Sequence, residues 1–155
     1  LLAAYDDAWD AELNWESLGG ILKNITEDEA QFQHSIYSDV PQEPGFPPNG
    51  TMLWHIAHLT HCYRWYKAAI EERPNAPKDF DPIVVTDLQD AIQNLKRYRD
   101  ELRETIANVP EQALKEMLYY KQPVATLARS TVRHDAWHGG QIALAKRLYR
   151  NRELR

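Results

Sequence analysis

The stretch Arg133–Ile142, RHDAWHGGQI, lies within a longer run, Thr126–Tyr149, that has the apolar period of an amphipathic helix. On a helical wheel, His134 and His138 lie roughly 40° apart and share a face with Leu127. Two imidazoles in an apolar stripe each need a hydrogen-bond partner or a metal ion, because burying an unsatisfied polar group is costly. The stretch therefore predicts a buried helix with a polar or metal-binding centre beside it.

A second segment with three histidines, MLWHIAHLTHCYRWY, is predicted to form part of a helix from about Thr51 to Glu72. At about 100° per residue, His58 points most directly toward the predicted core. His55 and His61 flank it at roughly 60° on either side. We expect His58 to face the histidine pair of the last helix, with His55 and His61 as alternatives.

One histidine from this helix and an i, i+4 pair from the last make three ligands for one divalent ion. We predict the ligands to be His58, His134 and His138. Three protein ligands leave a coordination position open, as in catalytic metal sites. Imidazole nitrogens favour Zn or Ni, with Fe or Mn as alternatives, and the single cysteine, Cys62, excludes a structural zinc site built on several thiolates. The competing interpretation is a set of separate histidines with ordinary polar partners.

Helical periodicity covers most of the chain and no convincing alternating strand is found, so the predicted fold class is all-α. The apolar stripes predict a single domain over residues 1–155, a four-helix bundle with two additional short helices. The four long helices are expected over Ala4–Ile25, Thr51–Glu72, Leu88–Val109 and Val124–Arg150, and the short ones after Thr26 and Pro110.

Composition excludes several classes of function. The formal net charge is −5 and no block of Lys or Arg is present, so a nucleic-acid partner is not expected. No apolar run is long enough to span a membrane, and no signal peptide is recognised at the N-terminus. The one cysteine fits a reducing, cytoplasmic location.

The two histidine motifs resemble those of a known family. HDAWHGGQI is similar to the H-x-x-x-H-x-G-Q-I segment that closes proteins of the DinB-like (DinB/YfiT-like) superfamily, and HLTHCYRWY is similar to the segment on their second helix. The resemblance implies an unusual four-helix bundle, often a homodimer, that holds a divalent metal through three histidines. By position these are again His58, His134 and His138.

The resemblance also implies a choice of chemistries. Superfamily activities include S-transfer and isomerisation that depend on a low-molecular-weight thiol such as bacillithiol or mycothiol, and metal-dependent hydrolysis. We therefore expect a small-molecule substrate and a thiol S-transferase, with a hydrolase or a non-catalytic metal-binding or dimerisation protein as alternatives. A zinc peptidase is not expected, because Asp135 replaces the Glu of H-E-x-x-H at the edge of the polar face and Glu153 is the sole acidic residue downstream.

Several further side chains are candidates for accessory roles. Gln141, one turn beyond His138, is expected to orient a ligand or a neighbouring group. Cys62 is expected to be a buried small side chain rather than a ligand or nucleophile. Four tyrosines are candidate phenol donors: Tyr63, Tyr66, Tyr119 and Tyr120. A dimer face is expected at Tyr5, Trp9 and Leu13.

Overall fold

The computed structural model describes residues 2–10, 17–73, 75–76, 81, 83–85, 87–118 and 121–152. These residues form six α-helices and no β-strand, which confirms the predicted all-α fold class. The helices are α1 Leu2–Asp10, α2 Leu18–Leu22, α3 Glu27–Gln31, α4 Met52–Glu71, α5 Leu88–Ala107 and α6 Val124–Arg150. Short 3-10 turns occupy Ser35–Tyr37 and Glu111–Lys115, so the short helix expected after Pro110 is a 3-10 turn.

The helices pack as a four-membered bundle. α4 packs against both α5 and α6, and α1 packs against the same two helices from the other side. The short α2 and α3 lie against α6, and α3 also contacts α4. The pair α4 and α6, which carries five of the six histidines, therefore forms one side of the bundle.

The first predicted helix, Ala4–Ile25, is wrong as a single element. Ser17 has an extended backbone conformation, and its side chain accepts a hydrogen bond from the Gly20 amide, so it begins a separate helix as an N-cap. Lys23 is again extended and ends α2 before Ile25. A local cap thus overrides the apolar periodicity, which runs through this region without interruption.

The buried face of α6 differs from the one that the wheel predicted. Its buried residues centre roughly 80° around the helix from His134; they are Val124, Leu127, Ala128, Thr131, Asp135, His138, Gly139 and Ile142. His138 lies within this stripe, whereas His134 lies at its edge and is half-buried. The same correction applies to α4, where His58 is half-buried and His55 is buried. The histidines therefore meet at an edge of the core rather than at its centre.

A separate polar network occupies the centre of the bundle. The Tyr63 hydroxyl donates to Asp135 Oδ1 at 2.7 Å, and the Tyr5 hydroxyl donates to the Arg99 carbonyl at 3.1 Å. Arg99 Nη2 donates back to the Tyr5 carbonyl at 2.6 Å, and the guanidinium lies over the Tyr5 ring. Asp135 is 1 % exposed, not at the edge of a polar face. Tyr5 is fully buried in this network, so it forms no dimer face; Leu13 lies outside the described residues.

Among the described residues, no helix is both long enough and apolar enough to cross a membrane. Glu153, Tyr119 and Tyr120 fall outside the part of the chain that the structure describes.

The glycines of α6 generate a stability prediction. A Cβ added to Gly140 meets no described atom within 4 Å, and the residue is exposed. Because glycine costs a helix interior about 0.8–1 kcal/mol relative to alanine, Gly140→Ala should raise the free energy of unfolding by about 0.5–1 kcal/mol. Urea unfolding followed by circular dichroism measures this change.

Gly50→Ala is the matched control. Gly50 has φ +77°, and an added Cβ would clash with the Tyr37 ring, so this variant should lose stability. A Gly140→Ala variant that is less stable than the wild type would contradict the open environment assigned to Gly140.

Candidate metal centre

Four histidine rings converge between α4 and α6. The His134 and His138 ring centroids are 4.5 Å apart, and the His58 centroid lies 5.6 Å from that of His134 and 5.0 Å from that of His138. The fourth ring, His55, lies 5.1 Å from His138. The structure thus brings together the three residues that the sequence singled out and adds His55 to them.

Hydrogen-bond contacts link these rings in a chain. His138 Nε2 is 3.0 Å from His134 Nε2, and His138 Nδ1 is 2.9 Å from His55 Nδ1. His134 Nδ1 is 3.2 Å from the Tyr66 hydroxyl. Both nitrogens of the fully buried His138 ring, and both of His134, therefore have a polar neighbour.

His58 meets the cluster from α4 and carries Cys62 beside it. Its Nε2 is 3.4 Å from Cys62 Sγ, and the indole of Trp54 stacks on the ring at 4.9 Å with an interplanar angle of 19°. Its Nδ1 is buried and has no hydrogen-bond partner among the described residues. The donor atoms of His58, Cys62 and His134 all lie within 4.8 Å of one another.

Burial keeps the histidines of the cluster neutral. It lowers the pKa of His55 and His134 to about 4 and that of His138 to about 2, with the neighbouring imidazoles adding to the effect. Burial also lowers the pKa of His58, with His61 as a second cause. Neutral imidazoles have the free lone pairs that a metal ligand needs.

Burial acts on Cys62 in the opposite direction. It raises the pKa of the thiol to about 12, with the charges of Glu43 and Asp135 as further causes. Without a cation beside it, the thiol therefore stays protonated near neutral pH and is a poor nucleophile.

Aromatic side chains wall the centre. Phe46 lies 6.3 Å from His58 and 5.6 Å from His61, and it comes from the proline-rich loop 41–50. The amide side chain of Asn49 donates to the Pro41 carbonyl across this loop and holds it in shape. On the other side, Trp137 packs edge-on against His138 at 4.5 Å although it is 57 % exposed.

The other candidates have distinct positions. Tyr66 contacts His134, whereas Tyr63 donates to Asp135 in the central network. His61 faces Phe46. Gln141 lines a cavity of about 20 Å³ behind His55, together with Phe32, His34, Ile36, Tyr37, Gly50, Leu144, Ala145 and Leu148. That volume admits about one water molecule.

The sequence pattern gave no partner role to His55 and no buried position to Asp135. His55 was considered only as a substitute for His58, since both lie on the same helix. The three-residue spacing of His55 and His58, which puts both on one side of α4, was the available sequence signal. The contact of His55 with His138 depends on how the two helices pack.

The separation of the His134 and His138 donor nitrogens matches what one divalent ion requires. Two nitrogens at about 2.1 Å from a tetrahedral ion are about 3.4 Å apart, and at right angles about 3.0 Å. His134 Nε2 and His138 Nε2 are 3.0 Å apart. The donor atoms of His58, Cys62 and His134 also all lie within 4.8 Å of one another. The residues present therefore fit a divalent metal ion.

The comparisons with known proteins identify the family. The family model of the DinB superfamily matches residues 10–142, most of the chain, so the chain belongs to the DinB superfamily. No curated protein and no solved structure matches it. Membership confirms the resemblance seen in the histidine motifs, but a fold does not by itself select a reaction.

The lowered histidine pKa values predict acid sensitivity of the metal-free protein. Unfolded histidines bind protons below a pKa of about 6.5, whereas His55, His134 and His138 stay neutral in the folded state to about pH 4 or lower. The free energy of unfolding should therefore fall as the pH drops from about 6.5 toward 4. Asp135 opposes this trend, because burial raises its pKa to about 7, but the histidines outnumber it. Urea titrations in chelator at several pH values measure the slope.

His138→Gln is the control variant, since glutamine has a similar size and does not titrate. It should be less stable at neutral pH and show a shallower loss between pH 6.5 and 5. A wild type whose stability is constant over this range would contradict the assignment of buried, neutral imidazoles.

Proposed function

We propose that the protein is a metal-dependent S-transferase that joins an intact low-molecular-weight thiol, through its sulfur, to a small electrophilic substrate. The new carbon–sulfur bond replaces the bond to the leaving group of the substrate, and the thiol proton is released. The observation that carries the proposal is the convergence of His58, His134 and His138 between α4 and α6. Family membership supports it, because the resemblance of the two histidine motifs implies three-histidine metal binding.

The hydrogen-bond chain favours a particular ligand set. With the ion on the Nε2 side of His134 and His138, the Nδ1 atoms of both rings stay bonded to Tyr66 and His55. Metal-ligating histidines usually donate their second N–H to such a partner, which fixes the tautomer and orients the ring. On this account His55 and Tyr66 are positioning residues rather than ligands.

A site on the other side of His138 is less favourable. His55 Nδ1 and His138 Nδ1 are also close enough to share an ion. However, the group of three converging donors among the described residues is His58, Cys62 and His134, which includes His58 but neither His55 nor His138. This difference in donor number supports His58 over His55 as the third ligand.

A divalent ion held there would lower the pKa of a bound thiol or water toward neutrality. The chain's own residues would supply the surroundings. Trp54 and Phe46 exclude water from the His58 side, and the exposed face of Trp137 offers an apolar surface for the substrate at the half-buried edge of the cluster. The lowered pKa of His134 keeps its ring neutral and available to the ion at physiological pH.

Two alternatives share the same site. Water in place of the thiol would make the protein a metal-dependent hydrolase. A metal-binding protein without catalytic activity would use the same ligands to join α4 to α6. We further propose a homodimer in the cytoplasm, for which the family resemblance and the single unpaired cysteine are the support.

The ligand assignment predicts metal content. Elemental analysis should give about one equivalent of divalent metal per chain, which a His134→Ala, His138→Ala double variant should lose. His55→Gln should keep the site but bind the ion about 10- to 100-fold more weakly, because it removes a supporting partner.

His61→Gln is the matched control, because His61 lies one turn from His58 on the same helix and faces Phe46. It should keep the metal. Loss of metal in this variant together with retention in His58→Gln would assign the α4 ligand to His61 and overturn the proposed set.

The proposed reaction predicts conjugation that depends on a thiol. The metal-loaded protein should accelerate the reaction of a model aryl halide with at least one thiol from a panel of cysteine, glutathione, bacillithiol and mycothiol. The double histidine variant should show only the background rate. A metal-loaded protein without activity toward any thiol, but active on a model ester, would favour the hydrolase instead.

A further inference from the structure

Cys62 lies next to the proposed metal ligands and is not required by the three-histidine set. It follows His58 by one turn of α4, and its Sγ is 3.4 Å from His58 Nε2. A nitrogen and a sulfur at about 2.1 and 2.3 Å from one tetrahedral ion are about 3.6 Å apart. The observed separation differs from this value by only a few tenths of an ångström.

A second proposed ligand, His134 on α6, also lies close to Cys62. The donor atoms of Cys62, His58 and His134 all lie within 4.8 Å of one another, although His134 belongs to α6. His134 Nε2 in turn contacts His138 Nε2 at 3.0 Å. The sulfur of Cys62 is therefore close to nitrogen donors from both helices.

We propose that Cys62 is a fourth ligand of the ion, so that the resting site consists of three imidazole nitrogens and one thiolate. The inference rests on the proposed function, since it takes His58, His134 and His138 as the other ligands. Binding forms a sulfur–metal bond and breaks the S–H bond, and the proton passes to the solvent. No oxidant or reductant takes part.

Coordination by Cys62 would change how an external thiol reaches the ion. Four ligands would complete a tetrahedral zinc-type coordination, so the thiolate of Cys62 would occupy the position that a thiol substrate uses. A thiol substrate then has to compete with Cys62. The chain would thus hold its metal tightly at rest. An external thiol would displace Cys62 by giving up its proton, which would return Cys62 to its protonated thiol form.

Cobalt substitution tests the proposal without an activity assay. Metal-free protein is titrated with Co²⁺ in buffer without added thiol, and the absorption spectrum is recorded. Visible d–d bands report that the ion is bound, and a near-ultraviolet band reports sulfur-to-cobalt charge transfer. Cys62 is the only cysteine in the sequence, so a charge-transfer band can arise from this residue alone.

We expect both bands to saturate at one equivalent of Co²⁺. Cys62→Ala should lose the charge-transfer band, keep the d–d bands and bind the ion more weakly by roughly tenfold or more, since even outer partners of ligands contribute 10- to 100-fold. Cys62→Ser guards against a packing effect, because it keeps the size of the side chain. Circular dichroism of both variants checks that they fold.

The two proposals fail in different ways. Saturating d–d bands without charge transfer in the wild type would overturn the role of Cys62 and leave the three-histidine site intact. No spectral change at any Co²⁺ concentration would overturn the metal site itself. A charge-transfer band that disappears in the His134→Ala, His138→Ala double variant would support the combined ligand set.

Discussion

The structure depends on the satisfaction of one imidazole, that of His138, which is completely buried between α4 and α6. An imidazole in this position must have a partner at each nitrogen, because an unpaired buried polar atom costs about 1–3 kcal/mol. The partners are His134 on its own helix and His55 on α4. This requirement fixes how α6 lies along α4, and it places His58 and Cys62 beside the same pair of rings.

Two polar centres lie on different faces of α6 and have different roles. The central one consists of two hydrogen-bonded pairs: Tyr63 with Asp135, which joins α4 to α6, and Tyr5 with Arg99, which joins α1 to α5. The other is the histidine cluster, at the half-buried edge next to the proline-rich loop. The first supports the fold, since its groups are enclosed. The second is partly open to solvent, because His58 and His134 are only partly covered.

The sequence predicted the all-α class, most helix boundaries and the convergence of His58, His134 and His138. The i, i+4 spacing and the apolar periodicity carry this information directly. The centre of the buried face was wrong because the wheel weighs apolar residues, while Thr131 and Asp135 are polar and buried. The break at Ser17 was missed because a cap is a local hydrogen bond that periodicity does not record. The contact of His55 with His138 depends on the packing between helices, which no single helix encodes.

The central proposal is one divalent ion held by Nε2 atoms from two helices, and anomalous diffraction tests it most directly. Crystals of the zinc-loaded protein, measured on both sides of the metal absorption edge, should show one peak per chain between α4 and α6. We expect that peak at about 2.1 Å from Nε2 of His58, His134 and His138. A peak bound by His55 instead of His58, or zinc found only at surface carboxylates, would contradict the account.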